Sequence, residues 1–294
     1  MTSYLSGYLL AILAALLWGV SGTFAQFLIQ NRTIDPGWLV TVRLLVSGIL
    51  LLAIPAIKKP KSIFAPWKNK VDSIEILIFG VLGMLAVQYT FFVTIKHSNA
   101  ATATILQYLG PVFIALYFSI KERRLPVTQE LVAIVFALLG TFLIVTHGSL
   151  GSLSISVPAL VWGLASAIAL ATYSITPENL LKRHDTTVVI GWGMLIGGIA
   201  LSFINNPFAV SGNWDLITFL LAAFVILPGS LVAFYSYLTA VKIIGPTKTS
   251  LLACAEPLSA ALIAVFWLHT PFGLYDWAGM IFILLTIALL TRKA

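Results

Sequence analysis

Leu131 to Val145 reads LVAIVFALLGTFLIV, and uninterrupted apolar blocks of this kind recur from one end of the chain to the other. Nothing else in the sequence narrows the possible folds so far. A segment crossing the hydrocarbon core needs about 20 predominantly apolar residues. In lipid every backbone N–H and C=O must be paired within the protein, which leaves only α-helices and closed β-barrels. Barrel strands alternate in polarity over about ten residues. These blocks do not alternate, so they read as transmembrane helices. Only 9% of the 294 residues are charged, against about a quarter in a soluble domain, too few to cover a water-soluble globule. A soluble enzyme, a disordered chain, a collagen and a disulfide scaffold are thereby excluded. Cys254, the single cysteine, lies in an apolar run and reads as a small packing residue.

Hydropathy places ten helices at about 5–29, 38–57, 74–95, 100–120, 127–147, 157–176, 187–206, 215–241, 247–268 and 273–291. With the N-terminus inside, the cytoplasmic segments carry Lys58, Lys59, Lys61, Lys68, Lys70, Lys121, Arg123, Arg124, Lys182, Arg183, Lys242, Lys248, Arg292 and Lys293. Arg32 and Lys96 fall outside, and Arg43 lies within the second span. Lys and Arg concentrate on cytoplasmic loops, so the net charge of +7 belongs to topology and implies no nucleic acid. The expectation is a multi-pass protein of the cell (plasma) membrane with both termini cytoplasmic. Met1 to Leu10 has no basic n-region and no small-x-small cleavage site, so it reads as the retained first span.

The chain also repeats itself. ALLWGVSGTFAQF from Ala15 resembles ALVWGLASAIALA from Ala159, pairing Trp18-Gly19 with Trp162-Gly163 at an offset of 144. Tyr89, Lys96, Leu106 and Pro111 match Tyr235, Lys242, Leu252 and Pro257 at an offset of 146. This predicts two five-helix halves, residues 1–148 and 149–294. Five is odd, so the halves sit in the membrane with opposite orientation, an all-α architecture of inverted repeats.

These residues resemble the EamA-type drug/metabolite transporters, the ten-span group with two five-span halves. The resemblance covers nearly the whole chain. It rests on WG in the first and sixth spans, RLLVSGILLL from Arg43, YLGPVFIALYFSIKERRL across the fourth and CAEPLSAALIAVFWL in the ninth. QELVAIVFALLGTFLIV and YDWAGMIFILLTIALL resemble the two half-closing helices. The resemblance implies secondary transport of amino acids or similar small metabolites, with export preferred. The alternatives are an uptake permease, an exporter of amphipathic drugs and a non-transporting structural subunit. The implied partners are a small-molecule substrate, the lipid bilayer and protons. No cofactor and no metal are implied, and the oligomeric state is open.

Among candidate site residues Glu256 is the sharpest, an acid about ten residues into the ninth span with apolar residues on both sides. A charge at that depth costs several kcal/mol unless it faces a cavity or a partner. The ninth span has no Lys or Arg, and Lys248 lies about 12 Å away along the axis. Neutralisation by a proton or by a cationic amine therefore suits Glu256, and the alternative is capping of backbone freed by Pro257. Pro111 and Pro257 interrupt their spans at equivalent positions and read as kinks. Gln107 and Tyr108 precede the first of them as hydrogen-bonding cavity groups. Trp18 and Trp162 form a pseudo-symmetric pair suited to stacking on an aromatic substrate or to filling space. Gln88, Tyr89, Tyr235 and Tyr237 add polar groups at depth, and Trp18, Trp162, Tyr89, Tyr108 and Tyr235 are expected around one central chamber. Arg43 reads as snorkelling to the outer surface, with pairing to Asp35 as the alternative. Gly193-x-x-x-Gly197, with Gly191 and Gly198, reads as close helix packing. The histidines His97, His147, His184 and His269 stand apart. With no His-Glu-x-x-His, Gly-x-Ser-x-Gly or Walker loop, an enzyme is not expected.

Overall fold

The computed structural model describes residues 2–58, 60–125, 127–148, 154–244, 249, 252–253 and 255–291. Cys254, Lys59, Lys248, Arg292 and Lys293 lie outside the described residues, as does any packing role for Cys254. The long helices are α1 (Thr2–Gln30), α2 (Pro36–Lys58), α3 (Lys70–His97), α4 (Ala100–Lys121) and α5 (Thr128–Thr146). They continue with α6 (Val157–Ile175), α7 (Thr186–Ser202), α8 (216–244), α9 (Ala255–Leu268) and α10 (Leu274–Thr291). Among the described residues, six helices are long and apolar enough to cross a membrane, and four more are apolar but shorter.

Short polar side chains start these helices by accepting from backbone N–H groups that have no partner within the helix. Asp35 accepts from Trp38 N at 2.9 Å, Asn99 from Thr102 N at 2.8 Å, Asp185 from Thr187 N at 2.8 Å and Asp215 from Thr218 N at 2.7 Å. Three expected spans are not regular helices. In α3 a π turn at Phe79–Leu85 separates two α-helical stretches, and α8 has another at Leu227–Val232. Pro228 inside the second turn lacks the N–H that a regular ladder needs. α4 breaks at Tyr108–Leu109, and its second piece begins at Gly110 with Pro111 in the first turn, where a missing N–H does no harm.

Packing follows a pseudo-two-fold pattern. α2 lies along α7, and α5 along α10; α1 packs on α8 and α9 as α6 packs on α3 and α4. Exchanging α1–α5 with α6–α10 maps this set onto itself. Lipid gives helices little hydrophobic reason to associate, so close backbone approach matters. A Cβ on Gly140 would meet the Gly279 carbonyl at 2.8 Å, and one on Gly279 would meet the Gly140 carbonyl at 2.8 Å. The α7 stripe divides its work. Gly191 and Gly198 sit against Leu52 and Leu45 of α2, while Gly193 and Gly197 sit against the π turn of α3.

Contacts between helix ends define two faces. On the far face, where α1 ends, Gln30 donates to Ile95 O and Ser98 O at 2.8 and 2.7 Å, and Arg32 pairs with Asp215 at 2.8 Å. His147 and Asp276 meet there at 3.1 Å. On the near face, where α1 begins, Leu10 and Ala11 pack on Ile243, Ile244 and Leu252. Gln129 donates to Leu289 O, and Asp72 at the start of α3 meets Arg183 and His184 at 2.9 and 2.7 Å.

Candidate functional site

The polar groups buried mid-molecule converge on a cavity of about 300 Å³ between the two sets of helices. α1 contributes Trp18, Ser21 and Gly22; α2 contributes Arg43; α3 contributes Val87, Gln88, Phe91 and Phe92. Gln107, Tyr108 and Ile114 come from α4, Leu170, Tyr173 and Ser174 from α6, Phe234 and Tyr237 from α8. Glu256 of α9, Ala253 just before it and Ile287 of α10 complete the lining. Tyr173, Ser174 and Ile287 lie in the last turns of their helices, so the cavity runs from the middle of the molecule toward the near face.

The break in α4 and Pro257 in α9 explain one another. Pro257 has no N–H, which frees the Ala253 carbonyl four residues earlier. The Tyr108 hydroxyl, at the break, donates to that carbonyl at 2.8 Å and also lies 3.0 Å from Glu256 Oε2. A phenol has one proton to donate, so it cannot serve both oxygens at once. Gln107, the preceding residue, donates to Ser166 of α6 at 2.7 Å.

Arg43 departs from both sequence expectations. It is 7% exposed and reaches no surface, and Asp35 is occupied by the start of α2. Its guanidinium donates to Ser230 Oγ and to Gly229 O in the π turn of α8, and lies 5.2 Å over the Phe92 ring. A π turn misaligns backbone carbonyls, and α2 supplies their partners: Ser47 donates to Ile226 O at 3.0 Å. Glu256 therefore shares its cavity with a guanidinium brought in by tertiary packing, contrary to the view of an acid without a protein cation.

Six of the nine cavity candidates, Trp18, Gln88, Gln107, Tyr108, Tyr237 and Glu256, line this one space. Tyr89, Trp162 and Tyr235 do not. Tyr89 and Trp162 meet edge to face at 5.9 Å, and Tyr235 is 57% exposed on the outer surface of α8. The expected Trp18–Trp162 pair is thus split: Trp18 packs on Phe234 and Tyr237, each at 5.2 Å. What the two WG pairs share is the glycine. Gly19 lets α1 approach Ser259 and Ala260 of α9, and Gly163 lets α6 approach Leu106 of α4. The side chain of Pro111 lies outside the described residues, and Pro257 is buried. Ser21, Phe91, Phe92, Tyr173 and Phe234 were not singled out from sequence. Three of them carry a signal, since Ser21, Phe91 and Phe234 stand one turn from Trp18, Gln88 and Tyr237, on the same helix faces.

A second, polar pocket of about 430 Å³ lies on the far face, lined by Gln26, Gln30, His97, Asn99, His269 and Thr270 among others. Gln26 helps close the structure between the two spaces. Its amide donates to Thr270 Oγ1 at 3.2 Å and accepts from Ala100 N at 2.8 Å, tying α1 to the α9–α10 connection and to the start of α4.

Comparison with known proteins places this arrangement in a lineage. The profile of the EamA-like transporter family matches residues 5–146 and again residues 157–292. The uncharacterized inner membrane transporter YicL of Salmonella typhimurium is 42% identical over 295 residues, covering 99% of this chain and 97% of its own. The pseudopaline exporter CntI of Pseudomonas aeruginosa is 29% identical over 147 residues, 48% of this chain and 50% of its own. A solved crystal structure has the same fold with a TM-score of 0.67 at 19% identity, covering 98% of this chain and 97% of its own.

Proposed function

The chain belongs to the EamA-like transporter family, and from that premise we propose a secondary transporter that exports amino acids or similar small metabolites by alternating access. Ten spans in two inverted halves, 1–148 and 149–294, would rock about the central cavity, with the near face and both termini in the cytoplasm of a plasma-membrane protein. Matching helix-end contacts support the inversion: the start of α6 meets the end of α3 on the far face through Ser156 and His97, whereas α1 begins on the near face.

The observation that carries the reading is the central cavity walled by both halves. It reaches toward the near face, while Gln26 and Gln30 tie the far face shut. A transporter loaded from the cytoplasm has this form, with the substrate site near the middle between repeats. Glu256, Arg43 and the aromatic wall suit a small solute with charged groups and an apolar body. The pseudopaline exporters among the relatives support the outward direction.

Tyr108 supports proton participation. A protonated Glu256 donates to the Tyr108 oxygen while Tyr108 donates to the Ala253 carbonyl, and all three groups are satisfied. An ionised Glu256 competes with that carbonyl for the single phenolic proton, a competition that a cationic substrate amine would relieve. The test is uptake into proteoliposomes from a mixture of labelled amino acids and other small metabolites, with and without an imposed proton gradient. Gradient-dependent accumulation of at least one class is expected. Absence of flux for the whole mixture, with protein correctly inserted, would overturn the reading.

A further inference from the structure

Two polar side chains that line the cavity make no hydrogen bond within the described residues. Gln88 is 6% exposed and Ser21 is 2% exposed; both line the cavity, from α3 and α1. Neither amide atom of Gln88 nor the Ser21 hydroxyl has a hydrogen-bond partner among the described residues. Their polar neighbours are engaged: Gln107 with Ser166, Tyr108 with Ala253, Ser174 with Leu170, Arg43 with Ser230 and Gly229. Buried polar groups are nearly always paired, and leaving three such atoms unpaired is destabilising. A packing role would be filled better by Met and Ala. All three atoms are themselves buried, which limits relief by bulk water.

We propose that Gln88 and Ser21 form a neutral polar subsite of the transport cavity, selecting solutes that carry an uncharged hydroxyl or carboxamide group. This deepens the transport reading and rests on it. Gln88 presents donors and an acceptor, and the serine hydroxyl does both. A carboxylate brings acceptors only and leaves Gln88 Oε1 unpaired. An ammonium brings donors only and leaves Nε2 without an acceptor. A hydroxyl or carboxamide supplies both kinds of partner. The subsite is therefore distinct in chemistry from Glu256 and Arg43. A site of this kind rejects an analogue that lacks the group, because its own buried atoms then stay unpaired.

The experiment is binding by the full chain in lipid nanodiscs, read as a thermal shift against concentration, with probe pairs that differ only in that group. Suitable pairs are L-tyrosine with L-phenylalanine, L-threonine with L-valine and L-glutamine with L-methionine. The polar member of at least one pair is expected to bind at least about tenfold tighter, the scale of one well-made buried hydrogen bond. Gln88→Met should bring that ratio near one, Ser21→Ala should reduce it in part, and ligand-free Gln88→Met protein should melt higher than the parent. Equal binding within every pair, or binding by none, overturns the subsite. So does a ratio that survives Gln88→Met, or a Gln88→Met protein that melts lower, which would mark the amide as structural. Binding is read without flux, so the two readings fail separately. Flux without discrimination removes the subsite alone, and discrimination without flux removes transport alone.

Discussion

At the scale of single residues, one phenolic proton between two oxygens organises the middle of the molecule. Tyr108 answers the carbonyl freed by Pro257 and stands next to Glu256, so the helix break, the proline and the acid act as one unit. Glu256→Gln keeps the shape and hydrogen bonding of the side chain but cannot cycle a proton. It should exchange substrate between equal concentrations yet fail to accumulate it on a pH gradient, measured in proteoliposomes. Wild-type accumulation in this variant would refute coupling through Glu256. Arg43→Ala should lower the melting midpoint, because removing a charged donor from buried partners costs about 2 kcal/mol or more. Glu256 was legible from sequence because an acid inside an apolar run has few explanations. Arg43 was not. Its own neighbours suggest a side chain near a helix end, and its partners Gly229 and Ser230 lie in another helix whose π turn no periodicity announces.

The helices themselves carry the next layer of behaviour. The π turns of α3 and α8 lie at equivalent positions, with Gly83 and Gly229 in register at the repeat offset, yet they are satisfied differently. The first is packed against glycines of α7, and the second is held by Arg43 and Ser47 of α2. Among the described residues this asymmetry places a guanidinium on one side of the cavity. Gln26 joins α1 to two other segments through two hydrogen bonds. Gln26→Ala should shift the balance toward a form open at the far face by about 2 kcal/mol, roughly thirtyfold in population. Gly22 offers a reporter, since a Cβ there meets only Phe91 at 3.7 Å and Ala100 at 3.8 Å in the first instance. Gly22→Cys on a Cys254→Ala background should be labelled faster from the far face when Gln26 is also Ala, and an unchanged rate would count against the latch. Gly140→Ala, whose new methyl would lie 2.8 Å from the Gly279 carbonyl, should force α5 and α10 apart. A loss of about 1–3 kcal/mol is expected, seen as a lower melting midpoint.

For the whole molecule, the central question is which face meets the cytoplasm. Ala65 lies in the connection between α2 and α3 on the near face, beside Lys61, Lys68 and Lys70. Ala65→Cys in a Cys254→Ala background should react with an impermeant thiol reagent in inside-out vesicles and not in intact cells. Labelling from outside would reverse the orientation and turn the cavity toward the exterior. On the near face a cluster of charged groups joins the halves, as Arg32 and Asp215 do on the far face. Arg183 after α6 contacts Asp72 at 2.9 Å and Glu75 at 2.6 Å on α3, and His184 meets Asp72 at 2.7 Å. A rocking motion must carry this cluster intact or break it. From sequence Arg183 counted only as a cytoplasmic charge and His184 had no assigned partner, because Asp72 lies more than a hundred residues away.

The sequence alone determined the helical class, the membrane as solvent, the doubling of the chain and the depth of Glu256. Each follows from local composition or from a periodic pattern, and lipid leaves the backbone few alternatives. It also supplied the WG pairs and both prolines, though not the division of labour within them. Tertiary structure decided which of the candidate side chains meet the cavity. Trp18 lines it and Trp162 packs on Tyr89; Tyr237 lines it and Tyr235 faces outward. The repeats are alike in sequence but rest on different partners, and a helix in lipid gives weak rotational cues because nearly every face is apolar. Which side chains point inward was therefore settled by glycine contacts, π turns and long-range hydrogen bonds. These join residues whose separation along the chain hides their proximity in space.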